Sequence, residues 1–127
     1  VERPRSLVLV GKSRIGKTEW ARSLGKAMYY CNLFSIDDWD DDAQYIILDD
    51  IDIKYFPHWK FFLGCQKEGV LTDKYRKKRR IRNGKPCIWL CNPDMDPRGA
   101  LSRTECGWLD LNCDFVELND NLFNQVP

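Results

Sequence analysis

The chain holds one histidine, two methionines and no Cys-x-x-Cys pair among its 127 residues. A structural zinc site, which draws on closely spaced cysteines and histidines, is therefore disfavoured. Cys87 and Cys91 sit four apart in an apolar stretch, and as one extended strand would stand roughly 13 Å apart, too far to chelate one ion. Six cysteines are even in number but too sparse for a small disulfide scaffold. Reduced, mostly buried thiols and an intracellular setting are expected. No apolar run approaches the twenty or so residues of a bilayer span, so no membrane partner is expected. The acidic stretch Asp37 to Asp42 lacks the spaced ligands and the glycine of an EF-hand, which argues against calcium. There is neither an internal repeat nor a long linker.

What remains suits one domain, residues 1–127, long enough to remove about two-thirds of its unfolded surface from water. Apolar residues make up 43% and charged residues 31%, a globular mixture. The opening Val1-Glu2-Arg3-Pro4-Arg5 carries neither an initiator methionine nor a signal peptide and reads as a segment of a longer protein. The net charge of +1 hides a segregation: eight acids lie between Asp37 and Asp52, and eight bases between Lys74 and Lys85. Blocks of this kind need separate surfaces or separate tasks.

The chain is organised around Gly11-Lys12-Ser13-Arg14-Ile15-Gly16-Lys17-Thr18. An apolar strand, Ser6 to Val10, precedes it, and a helix from Lys17 to about Lys26 follows. This is the P-loop pattern in its strand–loop–helix setting. Gly11 and Gly16 let the backbone turn tightly so that its N–H groups surround a phosphate. The helix opening adds unsatisfied N–H groups. Lys17 is expected between the β- and γ-phosphates, and Thr18 is expected to offer its hydroxyl to magnesium.

Tyr45-Ile46-Ile47-Leu48 then runs into Asp49-Asp50, a buried strand ending in paired carboxylates. At the carboxyl edge of a parallel sheet these acids would face the loop. Asp49 is assigned to the magnesium shell and Asp50 to the attacking water; a helix cap or a turn is the competing reading of the pair. Asp52 reads as a cap. Lys54 to Leu63 reads as a helix whose aromatic stripe packs in the core, with Pro57 tolerated in its first turn. His58 beside it is structural or exposed. Val70-Leu71-Thr72 begins another strand.

Asn83-Gly84 is a strong hairpin signal and predicts pairing of Arg79–Arg82 with Pro86–Cys91. A basic hairpin suits the phosphate backbone of a nucleic acid, and a charge-protected edge strand is the alternative. Lys77 to Arg80 is also compatible with a nuclear-import address. Cys87 to Cys91 reads as a buried strand ending at Asn92, where an amide would meet the γ-phosphate or its water; a plain Asn-Pro turn is the competing reading. Pro97 to Glu105 reads as a short helix carrying Arg98 and Arg103, and Asp114 to Leu118 as the last strand.

Together these segments resemble the replication-initiator proteins of geminiviruses and genomoviruses, across nearly the whole chain. The resemblance is carried by residues 11–25, by Ile47-Leu48-Asp49-Asp50-Ile51-Asp52, by Thr72-Asp73-Lys74-Tyr75-Arg76 and by residues 84–93. Their order matches the Walker A, Walker B, B′ and C motifs of superfamily 3 helicases, which are AAA+-like ATPases. The resemblance implies an α/β P-loop NTPase fold with a mainly parallel central sheet flanked by helices and a basic β-hairpin. It also implies ATP and magnesium as cofactors, single-stranded or origin DNA as partner, a homo-oligomeric ring, host replication proteins and action in the host nucleus. On it, Asn92 is the sensor of motif C, and Lys74, Tyr75, Arg76, Lys77, Lys78, Arg79 and Arg80 face DNA. Arg98 or Arg103 supplies an arginine to a neighbouring subunit. The nuclease histidine pair and catalytic tyrosine motif do not precede the P-loop in this segment. A P-loop phosphotransferase and a non-enzymatic nucleic-acid-binding module are the alternatives.

Overall fold

The computed structural model describes residues 4–12, 14–73 and 78–118. Five strands form one parallel sheet: β1 (Ser6–Gly11), β2 (Ala27–Cys31), β3 (Tyr45–Asp49), β6 (Cys87–Cys91) and β7 (Cys113–Leu118). Their spatial order is β2-β3-β6-β1-β7. The segments with unbroken apolar runs, β1, β3 and β6, occupy its middle, as sequences buried on both faces must. The α/β reading with a mainly parallel sheet therefore holds.

Strand alternation divides the core between the two faces. Leu9, Ile47, Ile88 and Leu90 pack with Ala21 of α1 (Lys17–Arg22). On the other face Val8, Val10, Ile46, Leu48 and Trp89 meet Trp59, Phe61 and Phe62 of α2 (Trp59–Leu63), and Leu109 of α3 (Arg103–Asn112). Phe62 is fully buried, and its ring centroid lies 5.2 Å from that of Phe34 and 5.3 Å from that of Phe56. The aromatic stripe is core, apart from Tyr55, which is 83% exposed. Trp39 anchors the acidic stretch by its buried ring, and its indole N–H donates to Asp41 Oδ1 at 2.8 Å. Among the described residues no helix is long and apolar enough to cross a membrane.

Four local expectations change. The hairpin is not Arg79–Arg82 with Pro86–Cys91. Instead β5 (Lys78–Arg82) pairs antiparallel with β4 (Glu68–Thr72), while β6 lies between β3 and β1. The apolar sequence of Cys87–Cys91 gains more from burial at the sheet centre than from pairing with an exposed basic strand. Asn83 and Gly84 instead extend the β4–β5 ladder, their amides donating to the Lys67 and Gln66 carbonyls.

The helix expected over Lys54 to Leu63 breaks at Pro57 into a 3-10 turn, Ile53–Tyr55, and α2. As expected, Asp52 caps that turn, accepting from the Lys54 amide at 3.0 Å. α1 ends at Arg22 rather than near Lys26. Pro97–Gly99 is only a 3-10 turn, and the helix begins later at Arg103, capped by Ser102, whose hydroxyl accepts from the Glu105 amide at 3.2 Å. In return the Ser102 amide donates to the Glu105 carboxylate at 3.0 Å. This reciprocal cap sets the start of α3.

His58 ties the start of α2 to the end of β4: the Thr72 amide donates to its Nε2 at 2.9 Å. Burial holds the imidazole below its ordinary pKa, partly offset by the Thr72 backbone. A folded value below the unfolded one means that neutral His58 contributes stability above about pH 6.5, and that this contribution is lost as the pH falls below that. Urea unfolding of wild type and His58→Ala at pH 7.5 and pH 5 is expected to give a stability difference that shrinks at the lower pH. A difference independent of pH would contradict the assignment.

Candidate functional site

All five strands of the main sheet run the same way, so their carboxyl ends share one edge. Register places Cys31 beside Asp49, Asp49 beside Leu90, and Leu90 beside Leu9. The loop after β1, the acids at the end of β3 and Asn92 after β6 therefore meet at that edge, where open α/β sheets form their ligand crevices. A cavity of about 370 Å³ lies there, lined by Gly16, Lys17, Thr18, Asp49, Asp50 and Asn92 among others.

The loop is shaped by two glycines. Gly16 has φ 90°, in the left-handed region where a side chain is strained. At Gly11 a Cβ would come within 2.6 Å of Ile15 Cδ1 and 3.2 Å of the Leu118 carbonyl oxygen. Arg14 and Ile15 also belong to the loop; Arg14 lines the cavity and has φ 66°. Lys12 contributes its carbonyl, while Ser13 lies outside the described residues.

Lys17 is only 8% exposed, and its Nζ donates to the carbonyls of Gly11 at 2.6 Å and Lys12 at 2.8 Å. Burial pushes the ammonium below its ordinary pKa, while Cys91, Asp49 and Asp50 pull the other way. The result is a lysine held inside the loop that shapes it.

Asp49 faces the same side of the sheet as α1, and so Thr18 in the first turn of that helix reaches it. Thr18 Oγ1 donates to Asp49 Oδ2 at 2.9 Å. Tyr29 on β2 donates its hydroxyl to the same oxygen at 2.6 Å. Burial and the bond to Asp49 raise the Tyr29 pKa, so the phenol remains a donor. Asp50 turns away with φ 56°, a conformation that Asp tolerates better than most residues. Its amide donates to the Leu90 carbonyl at 3.1 Å. With the Asn32 amide oriented to satisfy both partners, its nitrogen lies 3.0 Å from Asp50 Oδ2 and 3.1 Å from the Asp50 carbonyl. The Thr18 hydroxyl and the Asp49 carboxylate are oxygen donors of the kind that fit a hard cation such as magnesium, and Asp50 lines the same cavity.

Of the other expected residues, Arg98, Arg103, Lys78, Arg79 and Arg80 are not among those lining this cavity. Arg98 donates to Asp96 at 2.7 Å and Glu117 at 2.8 Å, and stacks over Phe115 at 4.3 Å. These carboxylates hold the guanidinium well above its ordinary pKa. Arg103 is exposed at the first position of α3. Lys78, Arg79 and Arg80 are exposed on β5, with Arg80 3.6 Å from Glu68. Lys74, Tyr75, Arg76 and Lys77 lie outside the described residues.

Tyr29 and Asn32 are the residues that sequence reasoning missed. Alternation along β2 puts Tyr29 and Cys31 on one face, but only the pairing of β2 with β3 shows that this face is Asp49's.

The fold and the site thus define an α/β domain that gathers a lysine-bearing loop, two carboxylates and an asparagine at one sheet edge. Proteins similar to it in sequence are the replication-associated proteins of geminiviruses. It is 43% identical to the replication-associated protein of Tobacco yellow dwarf virus (strain Australia) over 108 residues, 85% of this chain and 32% of that protein. Identity is 41% over 108 residues to that of Bean yellow dwarf virus, again 85% of this chain and 32% of the relative. Against that of Maize streak virus genotype C (isolate Set), 42% of 112 residues are identical, over 87% of this chain and 32% of the relative. The chain spans about a third of the length of the curated relatives it matches. No protein-family model matches it.

None of the six cysteines forms a disulfide. Burial drives Cys87 well above its ordinary pKa and pushes Cys91 and Cys113 up to about 12. Cys31 is exposed at the cavity rim. Iodoacetamide at pH 8 is expected to modify Cys31 first, then Cys106, with Cys87 reacting only on unfolding. Early labelling of Cys87 in the folded protein would contradict the placement of β6.

Proposed function

We propose that the chain is the ATPase core of a viral replication-initiator protein, of the P-loop, superfamily 3 helicase type. The observation that carries this reading is the 2.9 Å bond from Thr18 to Asp49 beside Lys17, in a cavity beneath the glycine loop. Similarity to viral replication-associated proteins supports a part in starting viral replication; in this reading the genome is circular single-stranded DNA and the site of action is the host nucleus.

In this reading residues 11–18 surround the triphosphate, and Lys17 leaves the loop carbonyls to meet the β- and γ-phosphates. Thr18 and Asp49 would hold magnesium, which when bound offsets phosphate charge. Asp50 orients and deprotonates the attacking water, and Asn92 hydrogen-bonds that water or the γ-phosphate. An arginine from a neighbouring subunit in a homo-oligomeric ring completes the charge stabilisation. Arg103 suits that role better than Arg98, which Asp96 and Glu117 already engage. Single-stranded or origin DNA is contacted by Lys78, Arg79 and Arg80 of the basic strand β5 and, by the motif they belong to, by Lys74, Tyr75, Arg76 and Lys77. Host replication proteins are further partners of the complete protein.

The test uses the full-length protein with magnesium, ATP and single-stranded DNA. DNA-stimulated phosphate release is expected to fall by about 10²-fold or more in Lys17→Ala and in Asp50→Asn, with Asp50→Asn still binding nucleotide. Neutralising Lys78 and Arg79 together is expected to weaken DNA binding and lower its salt slope by about 1.4, roughly 0.7 per contact. Undiminished hydrolysis in Lys17→Ala would overturn the ATPase reading. An unchanged salt slope would overturn the DNA surface.

A further inference from the structure

Asp49 accepts two hydroxyl donors on one oxygen: Thr18 at 2.9 Å and Tyr29 at 2.6 Å, both to Oδ2. The two differ in kind. Thr18 sits in the glycine-loop motif, and its hydroxyl has lone pairs to spare for a cation while its O–H donates to Asp49. Tyr29 comes from the edge strand β2, two positions before Cys31, the register partner of Asp49. Its ring is fixed from both sides, packed against the cluster around Ile47 and covered by the Arg22 guanidinium at 4.9 Å. The phenol is thus a rigid donor, and the carboxylate must turn to meet it.

An aspartate's terminal torsion is broad, and its two oxygens exchange readily unless something pins one of them. Thr18 alone would be a poor pin, because its helix carries the same hydroxyl that a cation would draw upon. We propose that Tyr29 is a positioning residue for the magnesium–nucleotide complex: it fixes Asp49 through Oδ2 and so presents Oδ1 to the metal shell in one orientation. Groups that orient a metal-binding carboxylate in this way set metal affinity without touching the metal. This inference rests on the nucleotide and magnesium reading of the cavity. It adds a residue that the glycine-loop and acid-pair motifs do not contain.

The test is a binding measurement on the 127-residue chain, with a fluorescent, slowly hydrolysed ATP analogue titrated by magnesium. Tyr29→Phe removes only the hydroxyl, and Tyr29→Leu removes the ring as well. Thermal unfolding of each variant checks that it is folded. Both variants are expected to need about three- to tenfold more magnesium for half-maximal binding, the scale of one lost charge-assisted hydrogen bond. Nucleotide affinity in EDTA is expected to stay within about twofold of wild type for Tyr29→Phe. An unshifted magnesium midpoint in Tyr29→Phe, or a shift confined to Tyr29→Leu, would assign Tyr29 to packing and overturn the proposal. Both results differ from failure of the parent reading, in which wild type itself would show no magnesium dependence and the role of Tyr29 would fall with the site.

Discussion

A hydrogen bond from Thr18 to Asp49 joins two parts of the chain 31 residues apart, and the site depends on it. For that bond to form, β1 and β3 must run parallel with β6 between them, and Asp49 must share the sheet face that α1 covers. Both conditions come from burial. Ile46, Ile47, Leu48 and Leu90 are fully buried, Leu9 is nearly so, and a one-residue slip of β3 would turn Asp49 to the opposite face. The apolar alternation that builds the core is also what aims the carboxylate.

The loop illustrates a second constraint. Lys17 is a buried cation, which by itself opposes folding. Two carbonyls accept from its ammonium, and Asp49 and Asp50 lie near enough to favour its charge. In the proposed function a polyphosphate takes over those carbonyls' role, so the energy that holds the lysine in place is exchanged rather than lost. Gly11 serves the same end from the other side, since a Cβ there would crowd Ile15 and the backbone of Leu118.

Much of this was legible in the sequence, for reasons that differ by element. The glycine loop and the acids after Tyr45–Leu48 could be read because their chemistry is local and their flanks are unbroken apolar runs. The α/β class followed from those runs. The partner of β5 was not legible: Asn83-Gly84 has the composition of a tight hairpin, and only the competition for the sheet centre, won by Cys87–Cys91, assigns β5 to β4. The start of α3 is written in Ser102-x-x-Glu105, a capping-box signal that competes in the sequence with the proline at position 97. Tyr29 and Asn32 belong to a third kind. Their roles arise from the lateral neighbour of β2, which no stretch of sequence states.

The account stands on one claim, that the glycine loop and the two carboxylates form a single magnesium–nucleotide site. Backbone amide shifts of the isotope-labelled chain, recorded as a slowly hydrolysed ATP analogue is added with magnesium, test it most directly. The account predicts that the largest changes fall together on residues 11–18, 49–50 and 91–92 and saturate at one nucleotide per chain. Saturable changes centred elsewhere, with the loop and both acids unmoved, would contradict it.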